Sequence, residues 1–261
     1  MPQPEGTANL VEIFSSVQGE GPHVGETTLF VRFGECDLRC RWCDSPHTWR
    51  PAATCRVEVG RGSGVHESWP NPVALPRALA ACEALGLRAH RFASLTGGEP
   101  LLQPAAVKSL AAALRERGVR VLLETHGALA DALAEVVGEI DVVSMDWKLA
   151  SDVRRAGEPR GEPAPFHAEH ERFLKAALAA PEVVVKVVIT PDSRDDELDE
   201  MARRIAAVAP RALLVVQPVT PFGPVRAAPS AERLLALVAH LSRTLERVRL
   251  IPQTHKLLGA P

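Results

Sequence analysis

The chain has 261 residues, 46% of them hydrophobic, enough for a sizeable buried core in a single domain over 1–261. Its 30 basic and 32 acidic residues leave a net charge of -2, which excludes a general electrostatic pull toward nucleic acid or an anionic membrane, so the expected partner is a small molecule. The N-terminal M-P-Q-P-E-G-T-A-N-L lacks the basic flank and apolar run of a signal peptide, and no segment offers the ~18 uninterrupted apolar residues of a membrane span, so a soluble, cytoplasmic protein is expected.

In chain order, the first β-branched apolar run is Thr28–Phe33, which predicts a strand, and three of the five cysteines follow it at once. Residues 51–72 are rich in Gly, Pro and polar side chains without clear periodicity, and an exposed, partly ordered excursion is expected there. Beyond it, helical spacing and apolar runs alternate. A helix is predicted over Pro76–Leu85, a strand over Arg91–Leu95, a helix over Pro104–Arg117 and a strand over Val119–Leu123. A shorter helix near Ala128–Val137 precedes a strand over Ile140–Ser144, a helix over His167–Ala179 and a strand over Val183–Ile189. The pattern closes with a helix over Asp195–Val208, a strand over Ala212–Val216 and a helix over Ser230–Leu245. Such alternation implies parallel strands joined by crossover helices, in an open sheet or a barrel; periodicity does not choose between them.

Cys36, Cys40 and Cys43 lie in E-C-D-L-R-C-R-W-C-D-S. Thiols bunched in this way are unlike the dispersed framework of a secreted disulfide protein, and metal binding is the better reading. A structural zinc site wants four ligands, so three thiols leave it one short, with Cys55, Cys82 or a histidine to supply the last. A [4Fe-4S] cluster can be held by three thiolates with the fourth iron open to a further ligand. Because the loop follows the C-terminal end of a predicted strand, where active sites of parallel α/β folds collect, the open cluster fits its place in the chain. Cys55 and Cys82 receive no role; a small hydrophobe would serve at Cys82.

The C-x3-C-x2-C spacing, followed by T-G-G-E-P at Thr96–Pro100, resembles the radical S-adenosylmethionine superfamily. V-E-I-F-S-S-V-Q-G-E-G at Val11–Gly21, Arg32, the C-D-S after Cys43 and the tail Q-T-H-K resemble, more narrowly, the 7-carboxy-7-deazaguanine synthase family over nearly the whole chain. The superfamily resemblance implies an α/β fold, a partial, open (β/α)6-type barrel. It also implies a [4Fe-4S] cluster and S-adenosyl-L-methionine as cofactors, and the narrower family resemblance adds Mg2+. The activity implied is radical ring contraction of 6-carboxy-5,6,7,8-tetrahydropterin to 7-carboxy-7-deazaguanine with loss of ammonia. An external electron donor such as flavodoxin and a homodimeric assembly come with it.

Carried over by position, the resemblance assigns Cys36, Cys40 and Cys43 to the cluster and Ser45, where relatives usually have threonine, to Mg2+. Val17, Gln18, Gly19, Glu20, Arg32, Thr96 and the terminal carboxylate of Pro261 are implied at the substrate. Glu20, which suits a pair of N–H donors, and Arg32, whose planar fork suits a carboxylate, are the catalytic candidates. Trp42, Asp44, Gly98, Glu99, Ser144, Asp146, Lys148 and Gln217 are implied at S-adenosylmethionine, with the division of contacts among Ser144, Asp146 and Lys148 left open. Two rivals remain: a glycyl-radical activase, which would share the cysteines and G-G-E-P, and a non-catalytic zinc or iron-sulfur module.

Overall fold

A computed structural model describes residues 6–159, 161 and 163–260. The chain runs β1 (Thr7–Ala8), β2 (Leu10–Val17), β3 (Thr27–Phe33), β4 (Leu38–Cys40), β5 (Thr54–Glu58), β6 (His66–Pro70), β7 (Val73–Ala74) and α1 (Leu75–Ala84). It continues with β8 (Phe92–Gly97), α2 (Pro104–Glu116), β9 (Arg120–Thr125), α3 (Ala130–Val136), β10 (Val142–Asp146) and β11 (Val153–Arg155). The last elements are α4 (His167–Ala177), β12 (Glu182–Ile189), α5 (Asp195–Val208), β13 (Leu213–Pro218), α6 (Ala231–Leu241), β14 (Val248–Leu250) and α7 (Thr254–Leu258).

Ten strands form one mixed sheet in the order β14-β13-β12-β10-β9-β8-β3-β2-β5-β6, open at β14 and β6 rather than closed into a barrel. Its central run β3-β8-β9-β10-β12-β13 consists of the six strands predicted from sequence, all mutually parallel. This is the open α/β architecture expected. Strands outside that run carry weaker signals: β2 pairs antiparallel with β3, with Ile13 opposite Val31, and β14 adds three residues to the far edge.

Where an excursion is expected, residues 54–70 form a β-hairpin, Cys55 opposite Trp69, and β5 pairs with β2. Cys55, Val57 and Trp69 are buried, which explains the ordering; the tip is exposed at Val59 and Val65. The polar composition of the segment reflects a two-stranded edge with one wet face, and its short alternation is diluted by Gly and Pro at the turns.

Side-chain alternation divides the sheet into two faces. Val31, Leu95, Leu123, Val143, Val187 and Val216 join the buried faces of α1 to α6 in one continuous core. Intervening positions on the same strands, including Arg32, Thr96, Glu124, Ser144, Lys186 and Gln217, point to the opposite side and line a cavity there. One face therefore supplies the hydrophobic stabilisation and the other is free to carry chemistry.

Candidate active site

The cavity holds about 260 Å³ at the C-terminal ends of the parallel strands. Strand register builds its floor: Arg32 lies opposite Thr96, Ser144 opposite Glu124, Asp146 opposite Lys186, and Val188 opposite Gln217. Its wall is the loop after β3, which contributes Cys36, Cys40, Trp42, Cys43, Asp44 and Ser45.

That loop is held at several points. β4 pairs antiparallel with β11, Cys40 opposite Val153, and Arg41 N–H donates to Asp152 O at 3.0 Å. Buried Asp152 accepts from the hydroxyls of Thr190 and Ser193 at 2.9 Å each and pairs with Arg41 at 3.4 Å. At the Cys36 end, Asp37 meets His126 Nε2 at 2.8 Å.

The three thiols are unbridged and partly buried, and they share the cavity. Burial pushes the Cys36 thiol up to about 12 and Cys40 to about 11, with Cys43 also raised, so a cationic partner is needed to hold them as thiolates. Among the described residues no three His, Cys, Asp or Glu side chains close on a single ion. Three thiols along one cavity wall instead suit a polynuclear cluster, one for each of three irons.

Ionic groups cross the floor. Asp146 Oδ2 accepts from Lys148 Nζ at 2.7 Å and lies 3.3 Å from Lys186 Nζ, and Lys186 also pairs with Glu20. Burial alone would raise the Glu20 carboxyl, but Lys186 and a hydrogen bond from Gln253 hold it down at about 2. Burial works against the Lys186 ammonium too, and Asp146 and Glu20 outweigh it, leaving its pKa raised. The Lys148 ammonium stands 4.5 Å from the centre of the Trp42 ring. Arg32 Nε donates to Glu12 at 2.7 Å, which fixes its direction on the floor.

Buried Trp42 Nε1, Asp146 Oδ1 and Gln217 Oε1, all on cavity-lining residues, have no hydrogen-bond partner; beyond them only Ser151 Oγ is in that position among the described residues. Orphaned buried polar atoms are costly and mark where a ligand supplies the missing partner. Two acceptors and one donor in a cavity this size fit a polar ligand such as S-adenosylmethionine.

Most residues implied by the resemblance thus converge: Glu20, Arg32, Thr96, the loop from Cys36 to Ser45, Gly98, Ser144, Asp146, Lys148 and Gln217. Four do not reach the cavity. Val17 lies at the end of β2, outside the cavity lining. Gln18 is buried, donating to Glu124 at 3.0 Å and accepting from Glu20 N–H at 3.0 Å. Gly19 is covered by the C-terminal segment, its carbonyl accepting from Thr254 N–H at 2.9 Å. Glu99 is fully buried, and its carboxylate accepts from Thr125 Oγ1 at 2.8 Å, His126 N–H at 2.8 Å and Leu101 N–H at 3.0 Å. It ties the ends of β8 and β9 together. The substrate expectation for Pro261 falls outside the described residues.

The cavity also contains Lys186, Gln253 and Lys256, which received no role from sequence. Lys186 had a signal: it is the one charge inside V-V-V-K-V-V-I, and a buried strand carries an ammonium only with a purpose. Lys256 reaches Asp44 at 2.8 Å, closing the C-terminal segment against the thiol loop.

A model of the radical SAM superfamily matches residues 31–205. The chain is 35% identical over 261 residues to the 7-carboxy-7-deazaguanine synthase of Geobacter sulfurreducens, covering 97% of each. To that of Methanopyrus kandleri it is 37% identical over 264 residues, covering 98% of this chain and 95% of the other. The crystal structure of QueE from Escherichia coli shares the fold with a TM-score of 0.60 at 19% identity, over 95% of both chains.

Proposed function

The chain belongs to the radical SAM superfamily and, within it, to the 7-carboxy-7-deazaguanine synthases, and from that premise we propose that it converts 6-carboxy-5,6,7,8-tetrahydropterin into 7-carboxy-7-deazaguanine and ammonia. The observation that carries the reading is the cavity that joins the three free thiols to Glu20 and Arg32 on one polar sheet face.

Cys36, Cys40 and Cys43 would hold the [4Fe-4S] cluster. When bound, the cluster and S-adenosylmethionine supply hydrogen-atom abstraction from C6 of the pterin. The protein's share is orientation and exclusion of water. Trp42, Asp44, Ser144, Asp146, Lys148 and Gln217 line the cofactor side, and the partnerless atoms of Trp42, Asp146 and Gln217 are the contacts that a polar cofactor would complete. Gly98 contributes backbone there, while Glu99 acts from behind by holding the strand ends. Arg32 faces the pterin carboxylate, Glu20 its pyrimidine N–H edge, and Thr96 stands opposite Arg32 on the adjacent strand. Ser45 Oγ would supply the hydroxyl ligand to Mg2+, an oxygen suited to that hard cation.

An external one-electron donor such as flavodoxin, a homodimer and a cytoplasmic setting belong to the same reading on family grounds; among the described residues no helix is long and apolar enough to cross a membrane.

The test is anaerobic reconstitution with iron and sulfide, followed by assay with S-adenosylmethionine, a reductant and the pterin. Formation of 7-carboxy-7-deazaguanine together with pterin-dependent 5'-deoxyadenosine is expected. Deoxyadenosine formed only with a protein partner that acquires a glycyl radical would replace this reading with an activase.

A further inference from the structure

Glu20 lines the cavity from the loop after β2 with 19% of its side chain exposed, and Lys186, 12% exposed, is its ionic partner. Lys186 comes from the middle of β12, where neighbouring side chains Val185 and Val187 are fully buried in the core, so its stem has little freedom to turn elsewhere. Its second partner is Asp146 on β10, directly opposite in register. Asp146 in turn is neutralised by Lys148 at 2.7 Å. Two lysines thus serve Asp146, but only Lys186 serves Glu20 with an ionic contact among the described residues.

We propose that Lys186 is a positioning residue that keeps Glu20 ionised in its buried setting, so that the cavity selects a heterocycle edge presenting adjacent N–H donors. The inference rests on the pterin reading above and deepens it, since it names the residue that sets the hydrogen-bonding character of the substrate subsite. A carboxylate offers acceptors only, whereas a protonated carboxyl presents a donor to the same edge and repels it. Buried carboxyls without a cation take up a proton several pH units above their usual range.

Other groups facing Glu20 do not replace Lys186. Gln253 Nε2 donates at 2.7 Å but is neutral. His255, on α7, acts on Glu20 from farther away, and Asp44, across the cavity, adds repulsion that Lys256 absorbs. Arg32 pairs through Nε with Glu12 and makes no ionic contact with Glu20 among the described residues. Glu124 and Asp146 are anions that also act on Lys186, and neither brings a positive charge to Glu20.

The test measures pterin binding anaerobically to the reconstituted protein, without reductant so that no turnover occurs, between about pH 8 and about pH 5.5. Lys186→Met, Lys186→Gln and Lys186→Arg are compared with wild type, with near-UV circular dichroism to check the fold. Wild type and Lys186→Arg are expected to share one pH profile, while both neutral variants lose at least about tenfold more affinity on the acid side, as an unpaired Glu20 takes up its proton. Glu20→Gln combined with Lys186→Met removes the titrating group and is expected to abolish that extra acid-side loss. At the neutral end, the 2-oxo analogue of the pterin is expected to bind wild type at least about tenfold more weakly than the 2-amino compound. A folded Lys186→Met or Lys186→Gln whose pH profile matches wild type overturns the role assigned to Lys186. Absence of pterin binding by wild type at every pH overturns the pterin reading itself, and the two failures are told apart by wild type alone.

Discussion

Gly98 lies against the backbone of Glu35 so closely that a Cβ added to it would come within 2.0 Å of the Glu35 carbonyl oxygen. Its neighbour Gly97 has φ 137° and would meet the Phe33 carbonyl at 2.2 Å. The glycine pair therefore brings the end of β8 against the root of the thiol loop, secured by Gly98 N–H to Phe33 O at 3.0 Å and Glu99 N–H to Glu35 O at 2.7 Å. The resemblance implies Gly98 at S-adenosylmethionine; chain packing alone already requires glycine at both positions.

Gly98→Ala is expected to displace the start of the thiol loop, because backbone cannot yield as a side chain does. Destabilisation of at least about 2 kcal/mol is expected in urea melts of the metal-free protein. The iron and sulfide retained after reconstitution should fall as well; unchanged melts and full iron content would refute the packing role.

For Glu99 the expected phenotype is structural. Glu99→Gln turns one acceptor into a donor facing Thr125, His126 or Leu101, and a buried mismatch of this kind costs about 1–3 kcal/mol. Denaturant unfolding measures it. A variant of unchanged stability that loses only S-adenosylmethionine affinity would instead restore the direct contact implied by the sequence resemblance.

His170 predicts a pH effect. It is fully buried, with Nδ1 donating to Gly127 O at 2.6 Å and Nε2 accepting from Lys148 N–H at 2.8 Å, and burial lowers its pKa from 6.5 to about 3. The unfolded chain binds a proton there below about pH 6.5 and the folded chain does not, so this contribution is complete above that pH and is lost progressively on acidification toward about pH 3. The loss approaches about 1.4 kcal/mol per pH unit. Wild type should lose more stability than His170→Phe between about pH 7.5 and about pH 5.5, by roughly 1 kcal/mol or more in urea melts. Equal losses would contradict a neutral, buried His170.

At Gly19 a Cβ would meet His255 Nδ1 at 2.0 Å and His255 Cβ at 2.6 Å, too near the base of the side chain for a rotamer change to relieve. Gly19→Ala is therefore expected to push α7 away from the cavity. Limited proteolysis after Lys256 should accelerate, with little change in global stability because α7 buries no residue. Unaltered cleavage would show that the segment accommodates the methyl group in place.

Lys186 and Glu99 mark the limits of sequence reading from opposite directions. Lys186 was visible as a lone charge in an apolar strand, yet its partners Glu20 and Asp146 are 166 and 40 positions away in the chain, and local periodicity carries no trace of such pairs. Glu99 lies in the T-G-G-E-P motif, but the direction of its carboxylate depends on the end of β9, where Thr125 and the following His126 capture it. The hairpin at 54–70 was obscured for a related reason: its ordering comes from burying Cys55 and Trp69 against the edge of a sheet assembled elsewhere in the chain.

By itself the sequence determined the alternation of six parallel strands with helices and the position of three thiols just after the first of them. Both follow from local rules: apolar period selects strand or helix, and cysteine spacing is set by the residues between. Tertiary structure decided which polar side chains share the cavity, that Val17, Gln18, Gly19 and Glu99 stand outside it, and that Lys186 bridges Glu20 to Asp146. The physical reason is register: sliding one strand by a single residue would exchange its core and cavity faces, and that alignment is fixed only when all the strands pack together.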